Sequence, residues 1–191
     1  MKRVIWLSLI WGWMAMSFCQ SQINSNVESF SLKNLLDDTN FNLADYTQDK
    51  AMVLIITSTY CPFAKSYQER LSKLADEYSK KGVRFVLINP ENPQDSPEAM
   101  KQNAQTYNLP YLLDTEQKVT QKLQATKTPE VFVLQYSLGH FLMKYHGAID
   151  DNPQVAEEVE HYYLKEALDA LLAKSSPSTD YQKPTGCMIK N

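Results

Sequence analysis

The sequence predicts a single α/β domain in which a central mixed sheet carries helices on both faces. Residues 52–56 form an uninterrupted apolar run rich in β-branched side chains, and residues 83–89 form a second, mostly apolar run that includes Arg84 and Asn89. Runs of this kind are typical of strands that are buried on both faces. A helical pattern lies between them, and a strand, a helix and a second strand favour a right-handed parallel crossover. Helices on both faces then bury such a sheet.

The helix between these strands is predicted to begin at Pro62, because proline suits the first turn of a helix. Its apolar residues are spaced three or four apart, so they lie on one face of the helix. They are Phe63, Tyr67, Leu71, Leu74 and Tyr78. Gly82 is well placed to end the helix, since glycine is common just beyond a helix C-terminus.

Further elements extend this unit on both sides. Residues 27–50 predict a hairpin-like cap at the N-terminal end of the domain. Ser96 and Pro97 predict the N-cap and the first residue of a second helix. Residues 110–113 then predict a short extended piece, and residues 116–124 predict a short third helix.

The last part of the domain is predicted to be a hairpin followed by a helix. Residues 131–134 and 141–145 flank a turn that contains Gly139, and this pattern is typical of two antiparallel strands. The final helix is predicted to begin at Asn152 and Pro153. Its apolar residues are Leu164, Leu168, Leu171 and Leu172.

Composition narrows the classes of function. The chain has 43% hydrophobic and 21% charged residues, which is ordinary for a globular domain. Its net charge of −3 gives no reason to expect a nucleic acid or an anionic membrane surface as a partner. Outside the N-terminus, no run approaches the roughly 18 apolar residues that a membrane span needs.

The N-terminus has the pattern of a secretory signal peptide, which we assign to residues 1–21. Lys2 and Arg3 form a basic start, residues 4–18 carry no charge, and small residues follow around Cys19, where a peptidase can cut. We therefore expect export to the periplasm or the extracellular space, with no membrane span in the mature form. Two alternatives stay open, namely a transmembrane anchor and a lipid anchor attached to Cys19.

The remaining chain divides into a domain at residues 27–173 and a flexible C-terminal tail at residues 174–191. The tail is predicted because the composition turns to serine and proline after residue 173. Removal of the signal peptide leaves two cysteines, Cys61 in the domain and Cys187 in the tail. In an oxidising compartment these two are expected to meet each other or a partner.

Four segments, taken in order, carry a resemblance to a known family. The segments are CPFAK at 61–65, TPEVFV at 128–133, YHGAIDD at 145–151 and GCMIK at 186–190. With these segments, the chain resembles secreted bacterial thioredoxin-like proteins of the redoxin family, which includes relatives of alkyl hydroperoxide reductase and thiol-specific antioxidant proteins. The resemblance implies a thioredoxin-like three-layer fold in which Thr128 and Pro129 form a cis-proline loop beside Cys61 and shape the substrate groove.

The chain departs from two motifs of these relatives. Relatives with a Cys-x-x-Cys motif attack with the first cysteine and resolve with the second, and here Ser58 stands in the attacking position and Cys61 in the resolving one. A serine hydroxyl cannot undertake thiol–disulfide exchange, so dithiol chemistry within that motif is excluded. The peroxiredoxin pattern Pro-x-x-x-Thr/Ser-x-x-Cys is matched by Ser58 and Cys61, but Leu54 replaces its proline.

Cys61 is nevertheless a candidate nucleophile. It lies at a junction between a predicted strand and a predicted helix, where backbone N–H groups and the helix dipole stabilise a thiolate. Lys65, four residues later on the same helical face, adds positive charge, and Ser58 is expected to donate a hydrogen bond to the sulfur. The alternative is a buried, inert cysteine.

Cys187 has three interpretations: a resolving thiol that swings in from the tail, one end of a permanent bridge to Cys61, or a free thiol. The resulting prediction is an exported, monomeric thiol oxidoreductase that uses Cys61, with a protein thiol, a protein disulfide or a peroxide as substrate and an unidentified reductant. A thiol peroxidase and a non-catalytic binding module are the alternatives. We expect no cofactor and no metal, because His140, His146 and His161 lack the spacing of metal ligands.

Overall fold

The computed structural model describes residues 24–190. The strands are β1 (Asn26–Val27), β2 (Ser31–Asn34), β3 (Asn40–Asn42), β4 (Ala51–Ile56), β5 (Val83–Asn89), β6 (Tyr111–Leu113), β7 (Lys127–Thr128), β8 (Glu130–Ser137), β9 (His140–Gly147), β10 (Tyr181–Gln182) and β11 (Cys187–Met188). The α-helices are α1 (Pro62–Ser79), α2 (Pro97–Tyr107), α3 (Lys118–Lys122) and α4 (Tyr163–Leu172), and short 3₁₀ turns lie at Leu43–Tyr46 and Ala156–Glu158.

The main sheet runs in the order β1-β9-β8-β4-β5-β6-β2-β3, and β10 also pairs with β9. Strands β4, β5 and β6 are parallel, whereas β8 is antiparallel to both β4 and β9. The mixed sheet is therefore confirmed, and so are the parallel crossover through α1 and the antiparallel hairpin of β8 and β9.

Side chains of β4 alternate between two apolar cores. Val53 and Ile55 pack into a core with residues of α1, α2 and α4, while Leu54 and Ile56 pack into a second core with residues of α3 and with Leu43. This alternation follows from the two-residue period of a strand. It explains why the run is apolar throughout, and it confirms a three-layer arrangement with helices on both faces.

Two predicted elements differ from the structure. The final helix begins at Tyr163, not at Asn152, because the Asn152 side chain accepts hydrogen bonds from the N–H groups of Gln154 and Val155 and so closes a turn there. Such local bonds compete with helix formation. The predicted N-terminal cap contains a β2–β3 hairpin, but β2 also pairs with β6 and thereby joins the main sheet.

The segment predicted to be a flexible tail is held against the domain. Strand β10 pairs with β9 in parallel, β11 pairs with β7 in a separate two-stranded sheet, and Cys187 is bonded to Cys61. Serine and proline content identified the start of the segment but not the partners that its later residues find. The predicted signal peptide and Cys19 lie outside the described residues. Within residues 24–190, no helix has the length and apolar character that crossing a membrane requires.

Candidate functional site

Cys61 lies between the end of β4 and the start of α1, and its sulfur is bonded to that of Cys187. The two Cα atoms are 5.9 Å apart, and the sequence separation is 126. The Cys61 side chain is only 1% exposed, whereas Cys187 is half-buried. The bond shows that Cys187 is not a free thiol in this structure, and it is compatible with both a resolving thiol and a permanent bridge.

Cys61 is the N-cap of α1, and Pro62 is its first helical residue. Proline has no N–H group. The N–H groups at the start of α1 therefore belong to the residues just after Pro62, and these groups have no acceptor within the helix. This end of a helix stabilises a thiolate. The Cys61 sulfur also lies 2.9 Å from the carbonyl oxygen of Thr128, which can accept the S–H of the reduced thiol. No second sulfur lies three residues away in either direction, since those positions are Ser58 and Ala64.

Ser58 does not donate to the Cys61 sulfur as predicted. Its hydroxyl donates to a carboxylate oxygen of Asp95 at 3.0 Å, and the Thr59 hydroxyl donates to the same oxygen at 2.7 Å. A third bond to this oxygen comes from the Tyr60 N–H at 2.8 Å. The correction has a simple cause, because a carboxylate is a stronger acceptor than a sulfur atom. Ser58 therefore fixes the loop that precedes Cys61.

Asp95 is a site residue that the sequence analysis missed. Its second carboxylate oxygen accepts a bond from the Asn89 side-chain amide at 2.8 Å, and both side chains are buried. The order of the elements contained a signal for a site at this edge of the sheet. Asn89 ends β5 and Ser58 follows β4, and the carboxyl ends of adjacent parallel strands lie at the same edge of a sheet, where sites form.

The peptide bond between Thr128 and Pro129 is cis, as the resemblance implies. Thr128 is buried, and its strand β7 pairs with β11 so that Cys187 lies opposite Thr128 and Met188 opposite Lys127. The structure thus brings four of the predicted residues together, namely Cys61, Cys187, Thr128 and Pro129. What lies across this loop is the protein's own C-terminal segment.

Lys65 and Tyr60 are exposed near the site. The Lys65 N–H donates to the carbonyl oxygen of Cys61, but within residues 24–190 its amine forms no ion pair. The predicted charge effect of Lys65 therefore remains a prediction. Tyr60 is 55% exposed, so it lies at the rim of the site and not in the core.

Glu130 is a second residue that the sequence analysis did not single out. It follows Pro129, is buried, and accepts bonds from the N–H groups of Thr126 at 2.8 Å and Lys127 at 3.1 Å. These bonds fix the bend of the loop that carries β7. Burial raises the pKa of the Glu130 carboxyl above its ordinary value, against the lowering effect of the two N–H bonds.

The three histidines lie apart from one another. His140 contacts the Asn26 amide, whereas the His146 ring stacks on Phe132. The ligand atoms of Asp151, Glu160 and His161 do lie within 4.8 Å of one another, and all three side chains are exposed. Exposed acidic groups commonly cluster without an ion, so this group supports no metal site.

The sheet order, the cis Thr128–Pro129 peptide and a cysteine at the start of α1 define a thioredoxin-like protein that lacks a dithiol motif in its helix. A family model described as the AhpC/TSA family matches residues 23–151, and the chain belongs to that family. It is also 30% identical over 138 residues to the thiol:disulfide interchange protein DsbE of Escherichia coli K12, covering 71% of this chain and 70% of that protein.

Two solved structures resemble the whole fold. An uncharacterized conserved protein from Geobacillus kaustophilus has a TM-score of 0.78 and 34% identity, covering 90% of this chain and 93% of that one. A hypothetical protein from Sinorhizobium meliloti 1021 has a TM-score of 0.77 and 28% identity, covering 87% of this chain and 93% of that one. These likenesses agree with the thioredoxin-like fold, and the names of both proteins leave their activities open.

Proposed function

We propose that this protein is an exported thiol–disulfide oxidoreductase whose redox pair is Cys61 and Cys187. The observation that carries the proposal is the bond between a sulfur at the N-terminus of α1 and a sulfur on the C-terminal segment. A family relative is named a thiol:disulfide interchange protein, which supports the same chemistry. The basic start and uncharged stretch of residues 1–21 support export.

The two sulfurs divide the reaction between them. In the reduced protein, the Cys61 thiolate attacks one sulfur of a partner disulfide, and the other partner sulfur leaves as a thiolate with the bonding electrons. The Cys187 thiolate then attacks Cys61 in the mixed disulfide, and the first partner sulfur leaves. The partner has gained two electrons and, from solvent, two protons, while the protein has acquired the Cys61–Cys187 bond. An external dithiol restores the reduced state by a second thiol–disulfide exchange, in which the dithiol is oxidised to its own disulfide.

The half-buried position of Cys187 sets where that reductant reacts. Cys61 is buried, whereas Cys187 is half-buried, so Cys187 is the more accessible residue of the bond. Attack there releases Cys61, whose thiolate the start of α1 stabilises as a leaving group. Electrons thus enter at Cys187 and leave at Cys61.

The test combines intact mass with turnover, in a chain that carries Cys19→Ser so that only two thiols count. We expect oxidation to lower the mass by two hydrogen atoms and to abolish alkylation of the two thiols. Cys61→Ser and Cys187→Ser should each lower dithiothreitol-driven reduction of a peptide disulfide by at least about 100-fold, which corresponds to about 2.7 kcal/mol in the barrier. Ser79→Ala, at the exposed last residue of α1, is the control and should stay within about threefold, about 0.6 kcal/mol.

Two results would overturn the proposal. Wild-type turnover no faster than that of Cys61→Ser would make the domain a non-catalytic binding module. Hydrogen peroxide consumption that depends on Cys61, together with no exchange of disulfides, would make it a thiol peroxidase. Recovery of the chain from the cytoplasm with residues 1–21 intact would contradict export.

A further inference from the structure

The C-terminal segment has two parts that are attached in different ways. We propose that residues 186–190 occupy a groove whose external ligand is an extended polypeptide of the same pattern, with glycine directly before a cysteine and an apolar residue two positions after it. The segment would then act as an internal competitor for that groove. This inference rests on the proposed function and identifies the class of its substrate.

The first support is the backbone pairing. Cys187 lies opposite Thr128 and Met188 opposite Lys127 in an antiparallel pair, and the Ile189 N–H donates to the Thr126 carbonyl oxygen at 3.1 Å. Main-chain bonds of this kind attach any extended peptide to a sheet edge, whatever its side chains. The β7 edge therefore serves a second chain as well as it serves the protein's own segment, provided that the segment leaves.

The second support is Gly186, whose surroundings restrict which residue can precede the cysteine. A Cβ atom at this position would overlap the Thr128 carbonyl oxygen and lie 2.8 Å from the Thr128 carbonyl carbon and 3.2 Å from the Pro129 nitrogen. These are backbone atoms of the β7 loop, which Glu130 holds in place, so they cannot turn aside as a flexible side chain can. A ligand that brings its cysteine to Cys61 in this register must therefore have glycine before it.

The third support is the alternation after the cysteine. Met188 is 63% exposed, whereas Ile189 is half-buried and packs against the core formed by residues of β4, β8 and α3. The main chain is also held beyond this point, because the Gln117 side-chain amide donates to the Lys190 carbonyl oxygen at 3.0 Å. An apolar side chain is thus favoured two residues after the cysteine, and any residue is tolerated in between.

The other part of the segment is an anchor that needs neither sulfur. Strand β10 pairs with β9, the Ala148 N–H donates to the Gln182 carbonyl oxygen at 2.9 Å, and the Tyr181 and His146 rings lie 4.7 Å apart. Cleavage of the Cys61–Cys187 bond leaves these contacts intact. The link from Gln182 to Cys187 reaches at most about 17 Å. Cys187 therefore stays close enough to resolve a mixed disulfide at Cys61, while β11 can leave the groove.

The test uses the Cys187→Ser chain, in the Cys19→Ser background, so that Cys61 is the reacting thiol. Two synthetic peptides, TGCMIK and TACMIK, are supplied as mixed disulfides with thionitrobenzoate. The Cys61 thiolate attacks the peptide sulfur, a Cys61–peptide disulfide forms, and coloured thionitrobenzoate leaves with the electron pair. We expect the glycine peptide to react at least about fivefold faster, the ratio that the lower end of an overlap penalty implies. Free glutathione should not distinguish the two peptides.

A second variant tests the competition. Adding Gly186→Ala should expel the protein's own segment from the groove by the same overlap and should raise the rate with the glycine peptide severalfold. Equal rates for the two peptides, or an unchanged rate in this variant, would overturn the groove proposal while leaving the exchange function in place. No reaction of Cys61 with either peptide or with cystine would instead overturn the proposed function itself.

Discussion

The Cys61 site is built between two sides that are held in contrasting ways. On one side, the loop before Cys61 is tied by buried hydrogen bonds from Ser58, Thr59 and the Tyr60 N–H to Asp95. On the other side, residues 186–190 are held by a short strand pair, by the packing of Ile189, by the Gln117 amide and by one covalent bond, to Cys61. The first side belongs to the body of the domain, and the second is an attached segment.

The contrast bears on how Cys61 could work under the proposed function without a neighbouring thiol in its helix. The Asp95 cluster contains no sulfur, so reduction of the Cys61–Cys187 bond breaks no bond within it. Reduction removes the covalent restraint on β11. We therefore expect redox state to affect the side that carries Cys187 more than the side that holds the loop before Cys61. The following predictions test each side separately.

The largest stability effect is expected from Asp95→Ala. This change leaves four buried or partly buried donors without their acceptor, from Ser58, Thr59, Tyr60 and Asn89. Each orphaned donor costs about 1–3 kcal/mol, and water entering the space left by the side chain offsets part of that. We expect the free energy of unfolding to fall by roughly 3–5 kcal/mol, measured by urea denaturation of the oxidised protein.

Asp95→Asn is the matched variant, because it keeps the shape but replaces one acceptor oxygen with a donor. It should lose less stability than Asp95→Ala and should retain the Cys61–Cys187 bond. If both variants unfold at the wild-type urea concentration, the Asp95 cluster does not hold this side of the site, and the contrast between the two sides fails.

The Asp95 side shows where sequence reasoning reached its limit. The strand β4, the helix α1 and the parallel crossover followed from short-range patterns of apolar residues. Asp95 did not, because it lies 37 positions after Ser58 in the sequence and its role depends on the register of β4 against β5. Ser58 was assigned to the sulfur for the same reason, since a near neighbour in sequence was the only partner that the pattern offered.

The tail was mispredicted for a related reason. Serine and proline content indicates weak local preference for helix or strand, but it does not report partners elsewhere in the chain. Gly147 and Gly186 mark those partners. Each allows a close backbone approach, to Gln182 and to Thr128 respectively. A glycine just before a lone cysteine was visible in the sequence, but its meaning required the Thr128 backbone beside it.

An intermediate effect on stability is expected from Gly147→Ala, which should disrupt the anchor formed by β10 and β9. Gly147 has a φ of +119°, and an added Cβ would overlap the Gln182 carbonyl oxygen of β10. Gly139 also has a positive φ, of +86°, but nothing lies within 4 Å of its added Cβ, so Gly139→Ala is a control for backbone strain alone. Gly147→Ala should lower the free energy of unfolding by roughly 1–3 kcal/mol more than Gly139→Ala does.

The same pair of variants tests whether the anchor keeps Cys187 near Cys61. Gly147→Ala should make the Cys61–Cys187 bond easier to reduce in glutathione buffers, because β10 no longer holds the segment and the effective concentration of Cys187 falls. Gly139→Ala should leave that equilibrium unchanged. A shift of equal size in both variants would mean that the anchor plays no part in redox chemistry.

The smallest effect concerns pH and the anchor. Burial lowers the pKa of His146 below its ordinary value of 6.5, with the charge of Asp180 opposing the shift. The folded state then binds fewer protons than the unfolded chain as pH falls below about 6.5, so the contribution of His146 to stability is present above that pH and is lost below it. Replacing the ring by His146→Gln should therefore remove part of the stability loss between roughly pH 7 and pH 5. Glu130 and Asp150, whose pKa values burial raises, act in the opposite direction and cancel in the difference between the two proteins.

Since the Tyr181 ring of β10 packs against the His146 ring, Gly147→Ala should weaken the same pH dependence. Urea denaturation at the two pH values measures the pH dependence of the free energy of unfolding in both variants. An unaltered pH dependence in His146→Gln would mean that this histidine does not contribute to it.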